Sequence, residues 1–193
     1  MKYMKYTIAV ASIILALLGI IFGAILPFKK AQLYIKSAYQ MPSIKTPEEF
    51  EEVFDKLFGF YSPIGDYEAA RFLGHNLINA VAAPENPEIA SRYLAEYLEP
   101  KMRKDETRHL LILAQMYFFL WAKSGEENDF LKSEEYYRQA LIYGPKLPPV
   151  LYGLFDLYRK KGDQEKLKQI SETILKYWPE DERVKEVINS LSY

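Results

Sequence analysis

From Tyr6 to Phe28 the chain runs for 23 residues without a charge, and every acidic residue comes later. A stretch of roughly 20 apolar residues, rising about 1.5 Å each, crosses a hydrocarbon layer about 30 Å thick. The sequence therefore predicts an N-terminal transmembrane anchor over residues 1–28, with a working domain held at the bilayer surface. A cleaved signal peptide is the competing reading, because Lys2 and Lys5 make a basic start. Signal cores run about 7–15 residues and end at a small-x-small site. This stretch is longer and leaves through Leu26-Pro27-Phe28-Lys29-Lys30, which offers no such site. No cysteine follows the run, which argues against lipid attachment there.

The expected location is a single-pass membrane protein. The N-terminal flank carries Lys2, Lys5 and the α-amino group, and the C-terminal flank Lys29, Lys30 and Lys36. With comparable charge on both flanks the positive-inside rule assigns no side. The lack of cysteine fits either redox compartment and removes disulfides and thiolate metal sites.

Residues 29–45 read as a juxtamembrane helix and linker. Pro27 is expected to kink or restart the helix, and Met41-Pro42-Ser43 to end it. Residues 46–193 form a helical domain. Six of the 25 basic residues precede Glu48 and all 26 acidic ones lie at or after it, leaving nineteen against 26, a net charge near −7. No basic stripe is present, so no nucleic acid is expected as a partner. Thr46-Pro47-Glu48-Glu49 is a strong helix start: an N-cap threonine, proline at the first helical position, and a glutamate three residues after the cap. Helical spacing follows over 47–59, 66–82, 87–98, 106–123, 131–143, 149–161, 164–177 and 181–191, with no sustained period-two pattern. The fold class is all-α.

The C-terminal half repeats. Tyr143-Gly144-Pro145 and Tyr177-Trp178-Pro179 each end a helix, and their prolines lie 34 residues apart. That is the helix-turn-helix period of the tetratricopeptide repeat. In the clearest unit, 148–181, Leu151, Leu154 and Tyr158 face Leu167, Ser171 and Ile174 across a Gly162-Asp163 turn. In the preceding unit, 107–147, Leu110, Leu113, Ala114 and Tyr117 face Tyr137 and Ala140, with an insertion from Trp121 to Phe130. A degenerate upstream unit uses Phe54, Leu57, Tyr61, Gly65-Asp66, Ala70 and Leu77. Val184, Val187, Ile188 and Leu191 mark a cap over 182–193 that closes a helical-hairpin solenoid.

Phe60-Tyr61-Ser62-Pro63-Ile64-Gly65, Arg108-His109-Leu110-Leu111, Tyr136-Tyr137-Arg138-Gln139-Ala140-Leu141 and Leu147-Pro148-Pro149-Val150-Leu151-Tyr152 carry a further likeness. Phe155-Asp156-Leu157-Tyr158 and Tyr177-Trp178-Pro179-Glu180-Asp181 extend it. Over most of residues 20–190 the chain resembles the last membrane span and repeat-bearing C-terminal tail of O-antigen ligase-like polysaccharide polymerases. Those proteins need a polytopic part and a large extracytoplasmic loop for glycan transfer, and this chain has one span. The resemblance implies an envelope-polysaccharide setting without transferring a catalytic residue.

Chemistry-bearing motifs are scarce. His75 and His109 have no partner at metal-ligand spacing and read as surface or capping residues. No phosphate-cradling glycine motif and no nucleophile elbow is present. Glu126-Glu127 and Glu134-Glu135 are adjacent, and neighbouring helical positions do not face one another. No catalytic, metal or cofactor site is expected. Two binding features remain. Gly19 and Gly23, with Ser12 and Ala16 on another small-x-x-x-small row, are small residues four apart through which transmembrane helices can approach closely, giving a homodimer or a contact with a multi-span protein. The second is the inner repeat face, with Arg108, Leu111, Gln115 and Phe119 from one unit and Tyr152, Asp156 and Arg159 from the next. Aromatics beside hydrogen-bonding groups suit capture of a protein or peptide. For Leu111 and Phe119 simple packing competes with this role.

These features predict a membrane-anchored scaffold that binds a protein partner, and the resemblance implies the cell envelope and surface-polysaccharide assembly as its setting. The alternatives are a non-catalytic subunit or detached tail of a ligase-like polymerase, and a self-associating structural envelope protein.

Overall fold

One continuous helical run opens the chain: α1 (Lys2–Ile20), a π-helical segment (Ile21–Ile25), α2 (Leu26–Gln40) and a 3-10 turn (Met41–Ser43). The computed structural model describes residues 2–191. The run is long and apolar enough to cross a membrane, with a mean hydropathy of 2.8 in its apolar window, and no other part of the protein covers that window. Pro27 does not restart it. The helix widens ahead of the proline, where the Leu26 amide donates to the Ile21 carbonyl five residues back. A π-turn absorbs the hydrogen bond that a proline cannot supply.

The remaining elements are α3 (Pro47–Gly59), α4 (Asp66–Ala82), α5 (Glu88–Leu98), a 3-10 turn (Glu99–Lys101), α6 (Thr107–Ser124), α7 (Glu127–Tyr143), α8 (Pro148–Lys161), α9 (Gln164–Tyr177) and α10 (Glu182–Leu191). No strand occurs among the described residues. The chain divides into two compact units, Met1–Leu73 and Gly74–Tyr193, with the boundary inside α4. The sequence divides it instead at residue 46.

In the first unit α3 starts as its cap predicts. Thr46 accepts from the Glu49 amide at 3.2 Å, and Glu49 returns a bond from the Lys45 amide at 2.8 Å. α3 packs on α2, burying Phe50, Phe54 and Leu57. Ser37 reaches the Val53 carbonyl at 3.4 Å and Lys30 the Phe60 carbonyl at 2.7 Å, so α3 runs antiparallel to α2. Tyr61, expected as an inter-helix residue, is instead 68 % exposed, because the chain leaves α3 at Phe60 in extended conformation.

In the second unit α6 packs on α7, α8 on α9, and α10 on α9, while α8 also touches α6 and α7. The large residues expected to face one another across each helix pair are buried: Leu110, Leu113, Tyr117 and Tyr137 in one pair, and Leu151, Leu154, Tyr158, Leu167 and Ile174 in the other. Gly162, at φ 77°, closes α8 with its own amide on the Arg159 carbonyl and the Asp163 amide on that of Tyr158. Asp163 then caps α9 by accepting from the Lys166 amide at 3.0 Å. This double use of Gly162-Asp163 makes the reversal sharp. Val184 of α10 is buried, and Val187, Ile188 and Leu191 are half-buried.

The expected insertion from Trp121 to Phe130 is corrected. α6 extends to Ser124, Gly125 ends it by donating to the Trp121 carbonyl at 2.8 Å, and α7 begins at Glu127 rather than 131. Burial explains the early start. The Phe130 ring meets Trp121 edge-on at 5.3 Å. Asp129 is fully buried, where it takes both guanidinium arms of Arg92 at 3.0 and 2.8 Å and the Ser124 hydroxyl at 3.2 Å.

A carboxylate also ties the end of α5 to the next two helices. Glu99 accepts from the phenols of Tyr117 and Tyr136, from Lys132 at 3.1 Å and from Lys104 at 3.2 Å. Burial opposes its charge, but these four donors outweigh that and hold its pKa at about 2.

Candidate functional site

The second unit has a surface hollow of about 410 Å³ whose lining comes from α4, α6, α7 and α8. Gln115, Phe119, Tyr152 and Asp156 meet there, four of the seven residues expected on the inner face. The repeat register alone places them on different helices, and the packing of α8 against α6 brings them together. Phe118 joins Phe119 on one wall, the two rings edge-to-face at 5.4 Å.

The other three lie elsewhere. Arg108 is exposed, its guanidinium 4.0 Å from Glu106. Leu111 is half-buried and does not line the hollow. Arg159 is exposed, pairs with Asp156 at 3.2 Å and lies 5.7 Å from the centre of the Phe155 ring.

Two lining groups are fixed from outside. The Tyr152 phenol donates to Asp181, and its ring lies 6.0 Å from that of Trp178. Burial, then the Asp181 carboxylate, pushes the Tyr152 pKa up to about 12. The same hydrogen bond lowers that of Asp181. Asp156 receives Arg183 of α10 as well as Arg159. Replacing Tyr152 and Asp156 therefore also cuts ties to the C-terminal segment, which repeat position does not reveal.

Tyr137 and Gly153 also line the hollow, as do Ile78 and Pro149, and repeat position does not assign them there. Tyr137 is 3 % exposed and lines the hollow. Its hydroxyl has no hydrogen-bond partner among the described residues, and burial, then the Asp156 charge, raises its pKa. The Gln115 carboxamide likewise has no partner among them. The Tyr137 hydroxyl is not among the buried polar atoms left without a partner, so it meets water at the hollow, and a bound polar group can take that water's place. Gly153 makes room for this phenol. A Cβ there would come within 2.2 Å of Tyr137 Cε1 and 2.7 Å of its hydroxyl oxygen. The available signal is a glycine inside a helical pattern, which often marks a close approach.

The remaining candidates separate cleanly. Ser12, Ala16, Gly19 and Gly23 are all exposed, and nothing lies within 4 Å of a Cβ at either glycine. His75 is exposed, as expected. His109 is not a surface residue. It is 3 % exposed, and its Nδ1 accepts from the Arg103 amide at 3.1 Å. It closes the loop before α6, while Glu106 caps that helix by accepting from the His109 amide at 3.1 Å. Among the described residues no three histidine or acidic side chains are grouped so as to hold a metal ion.

No protein-family model, no curated protein and no solved structure matches the chain.

Proposed function

We propose that the chain is a membrane-anchored scaffold of tetratricopeptide type that holds a protein segment in the hollow between α6, α7 and α8. The apolar helix is read as the anchor, α6/α7 and α8/α9 as two repeat units, and α10 as their cap. Support for the repeat reading comes from the 34-residue period and from the pairing of α6 with α7 and α8 with α9. The observation that carries the binding reading is the convergence of Gln115, Phe119, Tyr152 and Asp156 on one hollow, with the open Tyr137 hydroxyl among them. Aromatic walls with a few unpaired polar groups suit an extended segment carrying both apolar side chains and backbone amides. The resemblance of the sequence to ligase-like polymerases supports a partner in surface-polysaccharide assembly. The open small residues of the apolar helix, Ser12, Ala16, Gly19 and Gly23, support a variant in which the anchor packs on a multi-span partner.

The test is a photo-crosslinking side chain installed at Phe119 in the full chain, in its own membranes. A second goes at Lys168, exposed on α9. One discrete adduct from Phe119 that is absent from Lys168 is expected. Equal labelling from both positions, or none from Phe119, contradicts the proposal.

A further inference from the structure

We infer that the loop over 60–65, with the first turn of α4, is a second membrane contact that rests in the lipid headgroup layer beside the exit of the anchor. This builds on reading the apolar helix as a span. It concerns a different surface from the hollow and a different partner, the lipid itself.

Lys30 fixes the position of the loop. The apolar stretch ends at Phe28, and Lys30 follows within roughly 3 Å of helix rise. A lysine there would ordinarily reach for water or lipid phosphate. Instead its side chain is 2 % exposed, pairs with Asp66 and donates to the Phe60 carbonyl at 2.7 Å. Gly65 lies on its stem, where a Cβ would sit 3.3 Å from Lys30 Cγ. Pro27 shares a small hollow with Gly65 and Ala69. The loop is thereby clamped at both ends to Lys30, just past the apolar stretch. The neighbouring elements lead away from it. α3 passes the level of Ser37 at Val53 before it reaches Lys30, and α4 continues to Phe72, whose ring meets Tyr34 at 5.9 Å. Of the connections in this unit, this one lies nearest the apolar stretch.

The residues of the loop are turned the opposite way from a loop in water. Ser62 is buried, with its hydroxyl on the Ile64 carbonyl at 2.6 Å. Tyr61, Ile64 and Tyr67 are 68, 63 and 52 % exposed, and Phe28, two residues before Lys30 in the sequence, is 63 % exposed. Contiguous exposed apolar side chains mark a surface with a non-aqueous partner. Tyrosines gather at the headgroup level because one end of the ring is apolar and the other hydrogen-bonds. Lys29, exposed next to Phe28, adds attraction for anionic headgroups. The span fixes where the bilayer ends, and the Lys30 clamp fixes the loop at that level. Lipid is therefore the occupant.

The chain has no cysteine, so one introduced cysteine takes one spin label. The full chain is reconstituted in phosphatidylcholine–phosphatidylglycerol vesicles with labels at Ile64→Cys, Ile14→Cys or Glu51→Cys. Collision with oxygen is compared with collision with a water-soluble nickel chelate. Ile14 should be deep. Ile64 should favour oxygen severalfold more than Glu51, at headgroup depth. If Ile14 is deep and Ile64 is as open to nickel as Glu51, the loop lies in water and the inference is overturned. It is equally overturned if the Ile64 label is shielded from both reagents, since a protein surface then covers it. An Ile14 label open to nickel overturns the span, and the loop contact with it.

Discussion

The phenol of Tyr137 crosses the backbone of Gly153 so closely that a methyl group on the glycine would overlap the ring carbons. α7 and α8 meet where α8 gives up a side chain, and the open hydroxyl of the hollow is held by that approach. Gly153→Ala should destabilise the protein by about 1–3 kcal/mol through overpacking, although alanine alone would favour the helix by about 1 kcal/mol. With Tyr137→Ala already present the same change should be neutral or stabilising. Thermal melting of the four variants in detergent reads this coupling. Equal effects in both backgrounds would show that the contact does not limit the site.

Acid should loosen the second unit through Glu99. Its folded pKa of about 2 lies below the ordinary glutamate value of about 4.3. A depressed carboxylate contributes stability that is complete above its unfolded pKa and disappears as pH falls through the folded one. Glu99 should thus contribute up to about 3 kcal/mol at neutral pH, fading between about pH 4.5 and 2. Glu134 acts in the same direction. Burial resists its charge, but Lys166, Tyr158 and Arg138 hold it below its usual range. Melting temperature against pH should fall less steeply in Glu99→Gln than in the parent. Parallel curves would show that the carboxylate does not carry the acid sensitivity.

Helix α2 should matter to folding. A fragment beginning at Thr46 lacks Lys30 and Ser37, which hold the Phe60 and Val53 carbonyls, and uncovers the face of α3 that packs on α2. A fragment beginning at Lys29 keeps them. The longer fragment should melt higher, and Lys30→Ala within it should lose much of that gain. Identical melting of the two fragments would contradict the clamp.

If the small-residue row is a helix contact, Gly23→Ile should weaken association of the full chain in bilayers by blocking close approach. Gly23 has open space around it, so the change should leave the melting of the chain unaltered. Sedimentation or resonance energy transfer between labelled copies checks this. A parent that is already monomeric removes the homodimer reading.

Much of this architecture is legible in short-range sequence because it is set by short-range physics. The cap at Thr46, the proline starts at Pro47 and Pro148, and the Gly162-Asp163 reversal act over a few residues, and the helices they bound fall where spacing predicts. What sequence misses depends on distant partners. The start of α7 is set by Asp129 reaching Arg92, 37 residues away. Lys30 looks like a flanking charge until Asp66 neutralises it. His109 looks peripheral until the Arg103 amide turns it inward. Of the inner-face candidates, Gln115, Phe119, Tyr152 and Asp156 meet because α8 packs against α6. Arg108 lies at the start of α6 and Arg159 near the end of α8, outside the hollow.

Tyr137→Phe tests the central claim most directly. The hydroxyl has no partner among the described residues, so removing it should leave melting unchanged. A hydrogen bond to a bound segment contributes about 1 kcal/mol, roughly a fivefold change in affinity. With the photo-crosslinker at Phe119, the Tyr137→Phe chain should yield severalfold less of the discrete adduct at unchanged expression and melting temperature. An undiminished adduct would show that the partner is held elsewhere. A large drop in melting temperature would show that the hydroxyl serves the fold rather than the hollow.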